Sequence, residues 1–460
     1  MRQFLADTRP LKIPDFRRLY IGQGISLLGS QLTIVAVPYQ VYLETRSSAA
    51  VGLVSLAQLG PLLIGSLIGG VMADSMDRRK VMLVSQLLLA ATSVGLAFNA
   101  ALDDPILWPI VVLSSIAAGL SGLERPARAA SIPALVGLDL FPAAHALWQI
   151  LFQIGAMAGP AVAGLLLAGA GIQIVYWVDA VTFVVAFFFA LRIRSLRAQG
   201  AMERPSAGAM VEGLRFAVSK PELRGVFLSD LAAMVFGMPR ALFPALGTTV
   251  FGGPAAVGLL YAAPGAGALI GAIFTGAVGR VLRPGRATLW CIAVWGAAIA
   301  AFGTTNLLPL ALMFLAIAGA ADVFSAVFRN TILQLSIPDS MRGRMSSVQL
   351  AVVTGGPRLG DFEAGAVAGV AGPRFSVISG GLGCMLAIGL LALAVPAFRQ
   401  WTLPPREADA EPEQGPGDDP DGPGHVLPPE EAHEPNTIEA EPGPGPIATD
   451  TDPPQETANA

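Results

Sequence analysis

Long apolar stretches, each near the ~20 residues that a helix needs to cross a bilayer, alternate along this chain with short polar or charged breaks. Read as spans, they fall at 19–43, 51–73, 81–101, 106–127, 144–169 and 173–192, then at 223–248, 256–279, 287–305, 308–330, 345–371 and 374–397. Hydrocarbon offers no partner for backbone N–H and C=O groups, so such segments must be helical or belong to a closed barrel. Barrel strands are short and alternate apolar with polar residues. These runs are long, unalternated and rich in Leu, Ala, Val and Gly, which selects helices. Turn chemistry marks several breaks: Asp103-Asp104-Pro105, Gly253-Pro254, Arg283-Pro284-Gly285 and Gly372-Pro373. The pattern predicts an all-α membrane protein with twelve transmembrane helices.

The two halves of the pattern repeat. Ala50-Val51-Gly52-Leu53 returns as Ala256-Val257-Gly258-Leu259, and at the same offset Gly65 meets Gly271, Gly70 meets Gly276 and Lys80 meets Arg286. Ile132-Pro133 is echoed by Ile337-Pro338 one residue out of step. Matches at nearly one offset predict two pseudo-symmetric six-helix bundles. The expected organisation is an N-terminal segment 1–18, a first bundle 19–192, a basic linker 193–222, a second bundle 223–398 and a tail 399–460. Within the linker, Ala207 to Phe216 mixes apolar and polar residues as a short helix on the membrane surface does.

Composition agrees, because 53% of the 460 residues are hydrophobic and only 13% are charged, against about 25% charged in soluble domains. Lipid must be the solvent for much of the surface. The net charge of −4 averages two opposite regions: from Arg406 onward there are 15 acidic residues against one Arg. That Pro- and Gly-rich acidic tail cannot bury enough to offset its ordering entropy and is expected to be disordered.

Basic residues sort by side. If the N-terminus is cytoplasmic, the inward segments gather Arg2, Arg9, Lys12, Arg17 and Arg18, then Arg78, Arg79 and Lys80, then Arg125 and Arg128 and most of the rest. The outward loops keep only Arg46 and Arg374. This asymmetry puts both termini in the cytoplasm of a multi-pass cell-membrane protein. The N-terminus lacks a cleavable signal peptide, so the first span is expected to do the targeting. No Gly-rich phosphate loop ends in Gly-Lys-Ser/Thr, and three histidines and two cysteines provide no metal pattern. An enzyme, a cofactor, a bound metal and a nucleic-acid partner are therefore not expected. The lipid bilayer, protons and a small-molecule substrate are, with a monomer as the working state.

The loop after the second span reads Gly70-Val-Met-Ala-Asp74-Ser-Met-Asp77-Arg78-Arg79-Lys80, which resembles the signature of the major facilitator superfamily. Ser75 and Asp77 depart from it, standing where a basic residue and a Gly are usual. In that family such loops latch one conformation, and Asp74 is suited to pair with cations near the helix end. Span five carries Gly155-Ala-Met-Ala-Gly159-Pro160-Ala-Val-Ala163-Gly164, similar to the antiporter signature of the family's proton-exchanging exporters. Small residues at fourth positions make a smooth packing face, and Pro160 permits a bend. Val35-Ala-Val-Pro38, Ile132-Pro-Ala-Leu-Val136, Leu260-Tyr261-Ala-Ala-Pro264-Gly-Ala-Gly267, Pro338-Asp339 and Arg342-Gly343-Arg344 resemble the enterobactin-type siderophore exporters and their relatives. The resemblance covers residues 15–400. It implies proton-driven export of a small amphipathic, siderophore-like molecule by alternating access. Neighbouring branches expel macrolides, tetracyclines and other drugs, so multidrug efflux stands beside it, and a non-transporting receptor or scaffold is the reading from another class.

Ionisable groups at membrane depth are costly and mark candidate function. The resemblance implies that spans one, four, seven and ten line a central cavity. Gln23, Ser26, Ser30 and Thr33 form one stripe on span one, and Asp322, Ser325 and Arg329 form another on span ten. Asp322, near mid-span, is the first choice for a proton carrier. Asp230 and Arg240 bracket span seven about 15 Å apart along a helix and each needs another partner. Arg358 and Asp361 can pair three residues apart on span eleven. Glu124, Arg125 and Arg128 belong either to the substrate path or to ion pairs of an inner gate. Asp179 in span six reads as structural. The topology predicts that an epitope at the extreme C-terminus is labelled only after cells are permeabilised; labelling from outside intact cells would overturn it.

Overall fold

In the computed structural model, residues 7–197, 207–274 and 281–403 are described. The acidic tail, Arg204, Gly276 and Arg280 lie outside them, as do the first six residues. Every element of regular structure among the described residues is helical. The chain runs through α1 (Pro14–Thr45), α2 (Ser48–Ser75), α3 (Arg78–Ala100), α4 (Leu107–Gly169) and α5 (Ile172–Leu191). After the linker come α6 (Ala207–Ser219), α7 (Pro221–Phe236), α8 (Phe243–Thr249), α9 (Pro254–Phe274), α10 (Pro284–Thr304), α11 (Leu308–Ser336), α12 (Arg342–Ala371), α13 (Pro373–Ala394) and the short α14 (Pro396–Gln400). Helix starts follow local chemistry. Ser47 accepts from the Ala50 N–H at the head of α2, Asp77 does the same for α3 through the Arg79 N–H, and Pro occupies the first turns of α1, α7, α10, α11 and α13.

Among the described residues, ten helical segments are long and apolar enough to cross a membrane. α4 is one of them, yet its 63 residues would reach about 95 Å if straight, roughly three hydrocarbon thicknesses. Its one break is Gly137, whose φ of 76° only Gly adopts without strain. The gap between the fourth and fifth expected spans, 128–143, is helical on both sides of Gly137 although it contains Pro133 and Pro142. Pro160 does not bend the chain enough to leave helical geometry. α12 is 30 residues long but is not among the ten, its apolar character diluted by Arg342, Arg344, Arg358, Asp361 and Glu363.

Packing continues past the expected end of the second bundle at 398. Phe398 is fully buried, seated where Gly225 and Gly285 have no side chains, and the Leu403 N–H donates to the Leu282 carbonyl. The compact unit accordingly ends at Pro404. Within it, the second half of the chain has its own apolar core, from Ala217 to Phe398, and one core of the first half runs from Phe16 to Leu196. A third cluster, around Val35, Val41, Val51 and Tyr176, takes in Ala241, Ala245 and Val257 and so spans both halves.

Two helix pairs carry most of the joint between the halves: α2 with α12, and the second arm of α4 with α9. Gly52 faces the Asp361 carbonyl and Gly365, and Gly258 faces the Pro160 carbonyl and Gly164. A Cβ on Gly258 would stand 2.5 Å from the Gly164 Cα. The two glycines of the repeated string thus perform one task at two places. These approaches occupy the end of the helices that carries the turns at 46–47, 170–171, 252–253 and 372, away from the chain termini. Gly258→Val should lower the thermal unfolding midpoint, overpacking costing about 1–3 kcal/mol. Gly60→Ala, in open space, should leave it unchanged or raise it.

Candidate functional site

The most irregular backbone at membrane depth lies between α7 and α8. α7 stops at Phe236, Pro239 has no N–H to continue a helix, and a single 3-10 turn, Arg240–Leu242, leads into α8. The backbone groups this frees cannot turn to water, and side chains from three helices take them up. The Trp295 Nε1–H of α10 donates to the Gly237 carbonyl at 2.8 Å, and the Tyr261 hydroxyl of α9 to the Arg240 carbonyl at 2.9 Å. The Ala241 N–H donates to Asp361 Oδ1 of α12 at 3.1 Å. Asp361 Oδ2 accepts from Ser55 Oγ of α2 at 3.0 Å, so one carboxylate ties the broken span to the other half of the chain. The pairing expected between Arg358 and Asp361 is not made within 4.0 Å among the described residues, because those oxygens are already engaged. Arg358 and Arg240 instead flank Asp361 within electrostatic range.

Beneath the break, Arg329 of α11 joins two acids. Its Nη1 lies 2.9 Å from Asp230 Oδ1 of α7 and its Nη2 lies 3.7 Å from Asp322 Oδ1, two turns earlier on α11. The first contact lacks the alignment of a hydrogen bond and holds by charge. Arg329 and Asp230 are buried, whereas the Asp322 side chain is 38% exposed, making it the accessible member of the three. Asp230 thereby finds the partner that Arg240 could not be.

The stripe on α1 turns inward rather than onto an open cavity. Gln23 Nε2 and Gln86 Nε2 of α3 both donate to Glu124 Oε1, at 2.7 and 2.8 Å. Arg128 reaches Gln23 Oε1 at 3.1 Å and lies over the Trp148 ring. Glu124 and Arg128, four residues apart on α4, are thus linked through Gln23 and form no ion pair with each other within 4.0 Å among the described residues. Ser26 donates to Gln86, Ser30 to the Ser26 carbonyl, and Thr33 to Asp179 of α5. Arg125 is exposed and lies within electrostatic reach of Arg128 and Arg358. Gln86, Ser93, Ser55 and Trp148 were not singled out by sequence. Only the spacing of Gln86 and Ser93, seven residues apart on α3, hints that they share a face.

The basic loop binds helix ends of its own half. Arg78 donates to the Ala73 carbonyl at the end of α2 and to the Ala130 carbonyl within α4, and Arg79 to those of Ala190 and Leu191 at the end of α5, which places cations at the C-termini of α2 and α5. Gly69, rather than the half-buried Gly70, makes the close approach to α4, at Leu123. Asp74 forms no ion pair within 4.0 Å among the described residues. Asp77, the residue that departs from the family pattern, instead ties the loop to the segment after α5, accepting from Ser195 Oγ, the Leu196 N–H and the Arg79 N–H. On α4, Gly155 and Gly159 admit Leu27 and Gln31 of α1, whereas Gly164 meets Gly258 between the halves.

A family model described as transmembrane secretion effector matches residues 6–418. The chain belongs to the major facilitator superfamily. The enterobactin exporter EntS of Escherichia coli O1:K1 is 29% identical over 399 residues, covering 86% of this chain and 95% of that one. EntS of Shigella boydii serotype 18 is 29% identical over 397 residues, with the same coverage. Among solved structures, the nucleoside transporter NupG superposes with a TM-score of 0.66 at 12% identity, covering 84% of this chain and all of that one. A bacterial homologue of the human lysosomal transporter Spinster, inward-facing and unoccupied, gives 0.66 at 15% identity over 86% of this chain. This transporter is a multi-pass membrane protein and not an enzyme.

Partial burial raises the Asp77 carboxyl, but its three hydrogen bonds outweigh that and hold it below its ordinary value. A carboxyl depressed in the folded state contributes stability above its unfolded pKa of about 3.9, and that stability is lost as pH falls through the lower folded value. Asp77→Ala should cost about 1 kcal/mol at neutral pH through the lost cap. The gap between variant and wild type in thermal unfolding should close below about pH 4.

Proposed function

We propose that this transporter exports a small amphipathic organic molecule of the siderophore type from the cytoplasm, by alternating access and in exchange for protons. The observation that carries the reading is the interrupted α7–α8 span at membrane depth, ringed by Arg240, Arg358 and Asp361 and underlain by the Asp230–Arg329–Asp322 triad. Discontinuous helices with ionisable neighbours form substrate and ion sites in secondary transporters. The relatives named as enterobactin exporters favour the siderophore class and the outward direction.

In this reading the spans number twelve. α1, α2, α3, the two arms of α4, and α5 form one six-helix bundle; α7–α8, α9, α10, α11, α12 and α13 form the other. Both termini are cytoplasmic, and the working unit is a monomer. Halves joined at the end away from the termini then correspond to an inward-facing state, with the outer gate closed by Gly52–Gly365, Gly164–Gly258 and the Ser55–Asp361 bond. Asp322 carries the proton. It is the exposed acid beside a guanidinium already committed to Asp230, so loading it neutralises the weaker of Arg329's two partners and leaves the stronger intact. Substrate occupies the space below the break, where Arg125, Arg240 and Arg358 bring positive charge. Met234, Phe236 and Met238 of the same span, adaptable side chains suited to hydrophobic drugs, pack instead into the core of the second half, and multidrug efflux is the second reading.

Inverted membrane vesicles containing the full chain should accumulate labelled enterobactin only under a pH gradient, and Asp322→Asn should abolish that dependence. Uptake by wild type that persists with a protonophore would overturn proton coupling. Uptake of a macrolide but not of enterobactin would replace the siderophore reading with the drug one.

A further inference from the structure

The first half of the chain holds an acid that the transport reading leaves unused. Asp179 of α5 is 1% exposed. Its Oδ2 accepts from Thr33 Oγ1 of α1 at 2.5 Å and from Ser93 Oγ of α3 at 2.8 Å, whereas Oδ1 is buried with no partner. No cation lies within 4.0 Å of it among the described residues. The helices packed against α5 are α1, α3 and, more lightly, α4. Residues 21–38 of α1 and 81–100 of α3 contain nothing ionisable. α4 contributes Glu124, Arg125, Arg128, Asp139 and His145, and none of them forms an ion pair with Asp179. On its own helix Asp179 lies within electrostatic range of Tyr176, whose hydroxyl donates to Gln40 Oε1.

A buried carboxylate surrounded only by neutral hydroxyls is an uncompensated charge, which a protein interior does not hold without a counter-ion. A Cβ on Gly29 would stand 2.7 Å from Asp179 Oδ1 and collide with Thr182 Oγ1, so the bare glycine lets that buried oxygen and a third hydroxyl, which donates to the Asp179 backbone carbonyl, lie directly against α1. Thr33 is only partly buried and ends the polar stripe that begins at Gln23, ten residues or about 15 Å away along α1. Asp179 and the Glu124–Arg128 network thus lie against the same polar stripe of α1, the one through Thr33 and the other through Gln23.

We propose that Asp179, with Thr33, Ser93 and Thr182, forms a binding site for one small monovalent cation, a proton or a sodium ion, inside the first bundle. The carboxylate supplies the charge and the hydroxyls the remaining oxygens, a donor set suited to a hard cation. A proton would sit on Oδ1; a sodium ion would lie between Oδ1 and the hydroxyls. The site does not depend on which molecule is transported.

The test uses the purified full-length chain in detergent with no transported substrate, so its failure leaves the export reading standing. Radioactive sodium binding is measured at mildly alkaline pH, and the carboxylic-acid C=O stretch is followed by infrared spectroscopy across pH. Sodium occupancy predicts one saturable site per chain, lost in Asp179→Asn and kept in Asp322→Asn. Proton occupancy predicts no sodium binding and, at neutral pH, a protonated-carboxyl band absent from Asp179→Asn alone. Ser93→Ala keeps the carboxylate and serves if Asp179→Asn does not fold; it should weaken sodium binding about tenfold or shift the infrared band. Absence of sodium binding together with a carboxyl region that Asp179→Asn and Ser93→Ala leave unchanged would overturn the proposal, reducing Asp179 to an acceptor for two hydroxyls.

Discussion

Backbone polar groups inside a membrane must find partners within the protein, and that constraint organises the region around Gly237 to Ala241. Interrupting a span there frees carbonyls and an N–H that lipid cannot satisfy. Trp295, Tyr261 and Asp361 each give up a polar side-chain atom to hold them. The three come from α10, α9 and α12, so the break fixes how those helices surround it. Because Asp361 also accepts from Ser55, the same requirement extends across the joint to α2. Arg240 is held at membrane depth by this scaffold rather than by a regular helix.

The two halves keep their buried acids in different ways. In the second, Asp230 and Asp322 share the guanidinium of Arg329; removing Arg329 or Asp230 strands a buried charge, which is expensive, whereas neutralising the more exposed Asp322 leaves the Asp230–Arg329 pair intact. In the first, Glu124 is held by two amides and Asp179 by two hydroxyls. Neutral donors tolerate either protonation state of a carboxyl far better than a fixed cation does, because a hydroxyl can rotate from donor to acceptor. Charge is locked at the Arg329 cluster and adjustable at Asp179, and Asp361, held by a hydroxyl and a backbone N–H, carries the second kind of setting into the second half.

Much of this was legible in the chain itself. Helix type came from the length of the apolar runs, and turns at Gly253-Pro254 and Gly372-Pro373 from the residues that form them. The repeat of Ala-Val-Gly-Leu marked Gly52 and Gly258 before their common role at the joint was visible. Pairings were less legible, since helical spacing says which residues share a face and not what lies opposite. Arg358 with Asp361 and Glu124 with Arg128 satisfied the spacing rule, but a backbone N–H and two glutamines competed successfully for the carboxylates. Asp230 with Arg329 joins residues almost a hundred positions apart, a distance at which sequence pattern carries no signal. The role of Asp77 was hidden because its partners, Ser195 and Leu196, sit at the far end of the bundle's sequence.

The seam at Gly52–Gly365 and Gly164–Gly258 has a mechanical corollary. Side chains that interdigitate must change rotamer before two surfaces can part, and each such change adds friction. Glycine faces carry no teeth. Where they meet, backbone lies on backbone, attraction is spread over many weak dispersion contacts, and the Ser55–Asp361 bond acts as a catch beside them. At those two places the joint offers little friction once the catch lets go, which is the behaviour of a bearing rather than of a weld.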